Sequence, residues 1–189
     1  FRVANAIIRD VHPHGWLTVE EVIKYSSNIG AAKIGERLGG NKFLEYIRAF
    51  GFGEKTGIDL PGEATGIIPG PRDLKSVTLS TVSFGQGISV TAIQLINALC
   101  AIANGGKLMK PFIVKKIISG DGRIIKEFHP QVVRQVISEE VSRKVKVMLS
   151  SVVEEGGTGE KAALIGYKVA GKTGTAQKAE LYKRGYSSE

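Results

Sequence analysis

Two short polar clusters in this chain carry residue types that can move protons and hold anions. Ser26-Ser27-Asn28 offers two hydroxyls and a side-chain amide. Lys172-Thr173-Gly174-Thr175 offers an ammonium, two further hydroxyls and a bare backbone position. A hydroxyl such as that of Ser26, set beside an ammonium such as Lys172, can relay a proton to a leaving amine. The Asn28 amide can hold a substrate amide and orient a neighbouring lysine. Lys172 adds positive charge facing a carboxylate, and the Thr173 and Thr175 hydroxyls can bond that same group. Gly174 removes a side chain where a ligand must lie close to the backbone. The Thr175 N–H can supply half of an oxyanion hole. Each cluster alone is unspecific, because Ser-x-Asn and Lys-Thr-Gly also serve as caps and turns.

Other motifs compete for attention. Gly166 to Thr173 fits the phosphate-loop pattern G-x-x-x-x-G-K-[ST] literally. Such a loop needs a buried strand before it and a helix after it, whereas here the alternation lies inside the supposed loop and Gly174 follows at once. His12-Pro13-His14 lacks a third ligand nearby and reads as surface, as does His129. Gly85-Gln86-Gly87 reads as a tight turn. Gly156 to Gly159 reads as a hinge-like loop. No metal and no cofactor is implied.

Composition narrows the remaining classes. The formal net charge is +8, but its positive residues are scattered, and aromatic content is only 7%, too little for a base-stacking platform. A basic solvated surface is expected, with no nucleic-acid partner. Cys100 is the sole cysteine, so no internal disulfide is possible, and its apolar neighbours predict a buried residue. No run of about 18 apolar residues appears that would span a membrane.

The two clusters need elements to position them. Residues 1–9 read as extended, followed by a loop over 10–15. Thr18 and Glu21 form a capping box that predicts a helix over 19–25. Ser26 to Asn28 interrupts it. A second helix then runs to Gly39-Gly40, and Asn41 caps a third that ends at Gly51. Residues 51–71 hold six glycines and three prolines, which predicts loops around a short strand at 58–60. Residues 72–81 read as helical. Residues 90–103 predict a helix so apolar that it should be buried on all sides. Strands follow over 108–119 and 123–128, hinged at Gly120-Asp121-Gly122, and over 131–137. Ser138 opens a helix to about 155. Residues 166–177 alternate as a strand, which would carry Lys172 to Thr175.

Ser26-x-Asn28 followed by Lys172-Thr173-Gly174 matches, in order, two of three motifs of serine acyl-transfer enzymes. Four longer blocks sharpen the match: IKYSSNIGAAKIGERLG, FGFGEKTGIDLPGEATGIIP, SFGQGISVTAIQLINALCAIANGGKLMKP and GYKVAGKTGTAQ. Over nearly its whole length the sequence resembles the transpeptidase domain of class B penicillin-binding proteins of the division and sporulation type. That resemblance implies an α+β fold of the β-lactamase/transpeptidase kind, mainly antiparallel sheet flanked by helices, with a helical subdomain. It implies peptidoglycan D,D-transpeptidase chemistry through a serine acyl-enzyme that β-lactams trap. By position, Ser26 and Asn28 match the family's second motif, and Lys172, Thr173, Gly174 and Thr175 its third. Implied partners are peptidoglycan stem peptides, β-lactams and division or elongation proteins. The implied location is the extracytoplasmic face of the bacterial cytoplasmic membrane, reached through an N-terminal anchor outside these residues.

One departure from the family pattern matters. No serine here has lysine three residues later, and Thr158 and Thr175, which do, lie downstream of Ser26 in the wrong order. The expectation is a partial transpeptidase domain over 1–189, with the S-x-x-K segment and the final strands and helix outside it, inactive by itself. Two other readings stand beside it: a serine β-lactamase, and a non-catalytic β-lactam sensor or divisome scaffold.

Overall fold

The structure, a computed structural model, describes residues 1–175. In chain order it contains β1 (Arg2–Val3), β2 (Ala6–Ile7), α1 (Val19–Lys24), α2 (Asn28–Leu38), α3 (Gly40–Ala49), α4 (Ser76–Val82) and α5 (Ala92–Ala103). These are followed by β3 (Lys107–Lys110), β4 (Lys116–Ile118), β5 (Ile124–Glu127), β6 (Gln131–Gln135), α6 (Glu139–Ser151) and a 3-10 turn at Glu160–Ala162. Among the described residues every strand pairing is antiparallel: β1 with β2, β3 with β6, β4 with β5. Two compact units divide the chain. One contains Phe1–Asn41, Pro69–Ile88 and the described part of Val147–Glu189; the other contains Lys42–Ile68 and Ser89–Lys146.

The first unit is built on α2. Val3, Ile8 and Ala32 are buried together, with Ile29, Val77 and Phe84 packed against them. Helix α4 lies so close to α2 that a Cβ at Gly35 would fall 1.9 Å from Ser83 Oγ. Ser80 Oγ donates to Glu36 Oε1 at 3.0 Å across the same seam. The capping box at Thr18 forms as expected: Thr18 Oγ1 accepts from the Glu21 N–H, and Glu21 accepts from the Thr18 N–H. The bonds that the carboxylate accepts from the Thr18 N–H and from the Thr18 hydroxyl hold the Glu21 carboxyl below its usual range.

The second unit hangs its loops on α5. Thr91 and Gln94 form a second capping box, and the fully buried Gln94 amide donates to the carbonyls of Glu54 and Thr65 at 2.8 and 2.9 Å. One side chain thus ties the glycine-rich stretch to the helix. Between those two points Glu63 closes the stretch on itself, accepting from the Thr56 hydroxyl and from the Thr56 and Gly57 N–H groups, which lowers its pKa. Arg134 on β6 donates to the carbonyls of Ala49 and Arg48 at the end of α3, the latter also accepting from the Gly51 N–H.

Several expectations are corrected. Residues 58–60 form no strand; the Leu60 N–H donates to the Ile58 carbonyl at 2.7 Å, a tight turn rather than an extended segment. The extended pairing in that region falls instead at a single bridge, Ile67 to Ser89. The strand expected over 108–119 breaks in two, because Pro111 lacks an N–H. Helix α3 starts at Gly40, so Asn41 is not its cap. Only one stripe of α5 is buried (Gln94, Ala98, Ala101), while Leu95, Ile96, Leu99 and Cys100 are exposed. Even a mostly apolar helix buries only the face that meets neighbours, and nothing among the described residues covers the rest. Residues 166–175 are not a strand either: no described segment pairs with them, and their backbone anchor is Gly171 N–H to the Leu149 carbonyl at 3.0 Å. Ala176 and Gln177, the end of that expected strand, lie outside the described residues.

The α2–α4 seam gives a direct test. Gly35→Ala forces Ser83 aside and should cost about 1–3 kcal/mol, read as a lower melting midpoint of the protein containing this chain. An unchanged midpoint would mean that the helices do not approach this closely.

Candidate active site

The turn between α1 and α2 is shaped by helix-end hydrogen bonding. The Ser27 N–H donates to the Val22 carbonyl at 3.1 Å and the Ser26 N–H to the Ile23 carbonyl at 3.3 Å. This is the Schellman pattern that closes a helix, and its hallmark position, Ser26, has φ +57. Glycine usually fills that position, because a Cβ costs about 1–2 kcal/mol in the left-handed region. A serine held there is backbone strain retained for a side chain.

The second helix is anchored separately. Ser27 caps α2, its Oγ accepting from the Gly30 N–H at 2.9 Å. Asp10 clamps the same end, one carboxylate oxygen accepting from Ser27 Oγ at 2.8 Å and the other from the Ile29 N–H at 2.9 Å. Asn28 is the first residue of α2, and its amide donates to the Arg9 carbonyl at 3.1 Å. The segment after β2 and helix α1 therefore hold the turn from both sides.

Onto this turn comes Lys172, 146 positions away in sequence. Its Nζ donates to Ser26 Oγ at 2.7 Å, and to the Thr173 carbonyl and Thr173 Oγ1 at 3.1 Å each. Desolvation from partial burial holds the Lys172 ammonium below the ordinary lysine value. Thr158 completes the cluster: its Oγ1 lies 3.1 Å from Thr173 Oγ1 and donates to the Lys24 carbonyl at 3.1 Å. Gly174 and Thr175 are exposed, and a Cβ at Gly174 would meet nothing within 4 Å. No packing among the described residues requires glycine there. The Thr175 hydroxyl has no partner among the described residues.

The structure thus brings Ser26, Lys172 and Thr173 into direct contact. Asn28 sits two residues from Ser26, but its amide bonds Arg9 rather than Lys172. Two contributors escaped the sequence reading. Thr158 lies in a hinge-like loop and draws notice in the sequence only for its spacing to Lys161, and Asp10 acts on residues 17 and 19 positions away. No local spacing signals either role. His14 stacks on Tyr25, ring centroids 5.0 Å apart, which gives that histidine a packing role.

The arrangement has relatives. Residues 4–189 match the family model of the penicillin-binding protein transpeptidase domain. The chain belongs to that family. Stage V sporulation protein D of Bacillus subtilis is 48% identical over 168 residues, which is 88% of this chain and 26% of that protein. Penicillin-binding protein PbpB of Mycobacterium tuberculosis is 35% identical, covering 93% of this chain and 27% of that protein. Apo penicillin-binding protein 3 from Mycobacterium tuberculosis superposes with a TM-score of 0.90 at 32% identity, covering all of this chain and 44% of that one. The D,D-transpeptidase domain of a peptidoglycan glycosyltransferase from Eggerthella lenta gives 0.87 at 29% identity, covering 94% of this chain and 46% of that one. The chain spans between a quarter and a third of the length of these curated relatives. Its mixture of helices and antiparallel strands is the β-lactamase/transpeptidase-like fold.

Strain at Ser26 can be measured without chemistry. Ser26→Gly and Ser26→Ala both delete the hydroxyl, but only alanine keeps a Cβ at positive φ. The glycine variant should be the more stable by about 1 kcal/mol in thermal unfolding. Equal stability would show that the turn is unstrained.

Proposed function

We propose that the protein containing this chain is a peptidoglycan D,D-transpeptidase, and that these residues supply two of the three motifs of its acyl-transfer site. The observation that carries this reading is the 2.7 Å bond between Lys172 Nζ and Ser26 Oγ, joining the two motifs. In this mechanism the acylating serine belongs to an S-x-x-K sequence outside these 189 residues. Its hydroxyl gives its proton to the lysine of that same sequence, its oxygen adds to the carbonyl of a stem-peptide amide, and the carbon–nitrogen bond breaks to leave an acyl-enzyme. Ser26 gives its proton to the departing amine and takes one from Lys172. The amine of a second stem peptide then displaces the serine and forms the cross-link.

Binding follows from the same groups. The Asn28 amide, two residues from Ser26, is suited to holding the substrate amide if its bond to the Arg9 carbonyl is exchanged or shared. Lys172, Thr173 and Thr175 border a cationic patch for the terminal carboxylate, attracted by the Lys172 charge and bonded by the Thr175 hydroxyl, which has no partner among the described residues. Gly174 leaves room for the peptide backbone to run alongside, and the Thr175 N–H serves the oxyanion. β-Lactams, which combine a strained amide with a carboxylate, fit the same patch. Two of the solved relatives, forms of the Mycobacterium tuberculosis penicillin-binding protein 3, are complexed with aztreonam and ampicillin. The protein would work on the extracytoplasmic face of the membrane, anchored by a segment outside these residues, with cell-wall division or elongation proteins as partners. This chain by itself should not acylate.

Fluorescent-penicillin labelling of the full-length protein tests the reading. Lys172→Ala should slow labelling at least about 100-fold, the scale of a lost proton-transfer group. Labelling of Lys172→Ala at the unaltered rate would overturn the assignment.

The lowered Lys172 pKa gives a second expectation. Because the folded value lies below the unfolded one, the unfolded chain binds more protons between them, so this group's contribution to stability rises with pH across that window. Acylation that needs the ammonium runs the opposite way, falling as pH climbs through the lowered folded value. That alkaline loss should begin below the ordinary lysine range and vanish in Lys172→Arg at whatever residual rate that variant retains. A loss that persists in the arginine variant would assign it to another group.

A further inference from the structure

Thr158 lies in a glycine-rich loop, 15 positions from Thr173 and 134 from Lys24, yet it bonds both. Counting protons shows what those bonds do. An ammonium has three protons and accepts nothing, and Lys172 directs its own to Ser26 Oγ, the Thr173 carbonyl and Thr173 Oγ1. Thr173 Oγ1 is therefore an acceptor toward Lys172, and its single proton must point elsewhere. The oxygen within reach is Thr158 Oγ1, at 3.1 Å. Thr158 can accept that proton only if its own goes elsewhere, and it goes to the Lys24 carbonyl at 3.1 Å. That carbonyl closes the last turn of α1 and is one of the helix's orphan acceptors. The Thr158 N–H also donates to it, at 3.3 Å.

The chain consequently has one direction: Lys172 ammonium to Thr173 hydroxyl, to Thr158 hydroxyl, to the carbonyl at the end of α1. We propose that Thr158 is a positioning residue of the acyl-transfer site, whose hydroxyl keeps Thr173 turned as an acceptor toward Lys172 and so holds the Lys172 ammonium on Ser26. This inference rests on the transpeptidase reading of that site and adds to it a member that neither motif contains. With the Thr158 hydroxyl gone, the Thr173 proton has no fixed destination, its oxygen turns away from Lys172 part of the time, and the ammonium loses a stabilising acceptor. Thr158 is exposed, and its N–H bond to Lys24 survives side-chain substitution, so removal of the hydroxyl should leave the loop in place.

The test measures acylation by fluorescent penicillin against pH for the full-length protein and its Thr158→Val and Thr158→Ser variants, with Lys172→Ala alongside. Thr158→Val should acylate about 10-fold more slowly, and its alkaline loss should move to lower pH, because a less stabilised ammonium gives up its proton sooner. Thr158→Ser, which keeps the hydroxyl, should restore both rate and profile to within about 2-fold. A wild-type rate and profile in Thr158→Val overturns the inference. So does a slowed Thr158→Val with an unmoved pH profile, or a serine variant as slow as the valine one; each assigns Thr158 to loop structure alone. If Lys172→Ala itself acylates normally, the reading of the whole site falls, and this inference with it.

Discussion

A lysine ammonium has three protons to donate and accepts none, so where it rests is set by the acceptors around it. In this chain the acceptors come from two separate stretches, and a third stretch bonds one of them. Ser26 Oγ stands on a helix-closing turn, the Thr173 oxygens lie beside the lysine itself, and Thr158 orients one of them from a distant loop. The folding of the first unit can be understood as the means of bringing these stretches to one point. Helix α1 contributes its end, α2 begins immediately after the turn, and the segment carrying Lys172 is tied by Gly171 to the end of α6.

Strain and anchoring are balanced around Ser26. Its left-handed backbone would favour glycine, and the Schellman bonds on one side with the Asp10 clamp on the other hold the turn regardless. Partial burial has a related effect on Lys172, removing some solvent from the ammonium while supplying three protein acceptors in exchange. A group poised in this way gives up a proton more readily than a free lysine, which suits a relay to a leaving amine.

Much of this was legible in the residues. The capping box at Thr18, the break at Ser26 to Asn28 and the hairpin at Gly120 to Gly122 are local signals, and each appears where local chemistry puts it. The convergence of Ser26 and Lys172 was readable only through resemblance of long sequence blocks, because nothing local links positions so far apart. What stayed hidden was long-range and polar. Asp10 and Thr158 act through hydrogen bonds between distant segments, and a loop residue carries no periodicity to betray it. The errors share a cause as well. Burial of α5, a strand at 58–60 and a strand at 166–175 were each inferred from the segment's own pattern, whereas burial and pairing depend on what the neighbours supply.

The central claim is that Ser26 and Lys172 act as one unit. A double-mutant cycle on the acylation rate of the full-length protein, with Ser26→Ala, Lys172→Ala and the pair, measures that coupling directly. Groups that pass a single proton between them should give a double variant about as slow as the slower single one. Losses that multiply, as for two independent groups, would contradict the account.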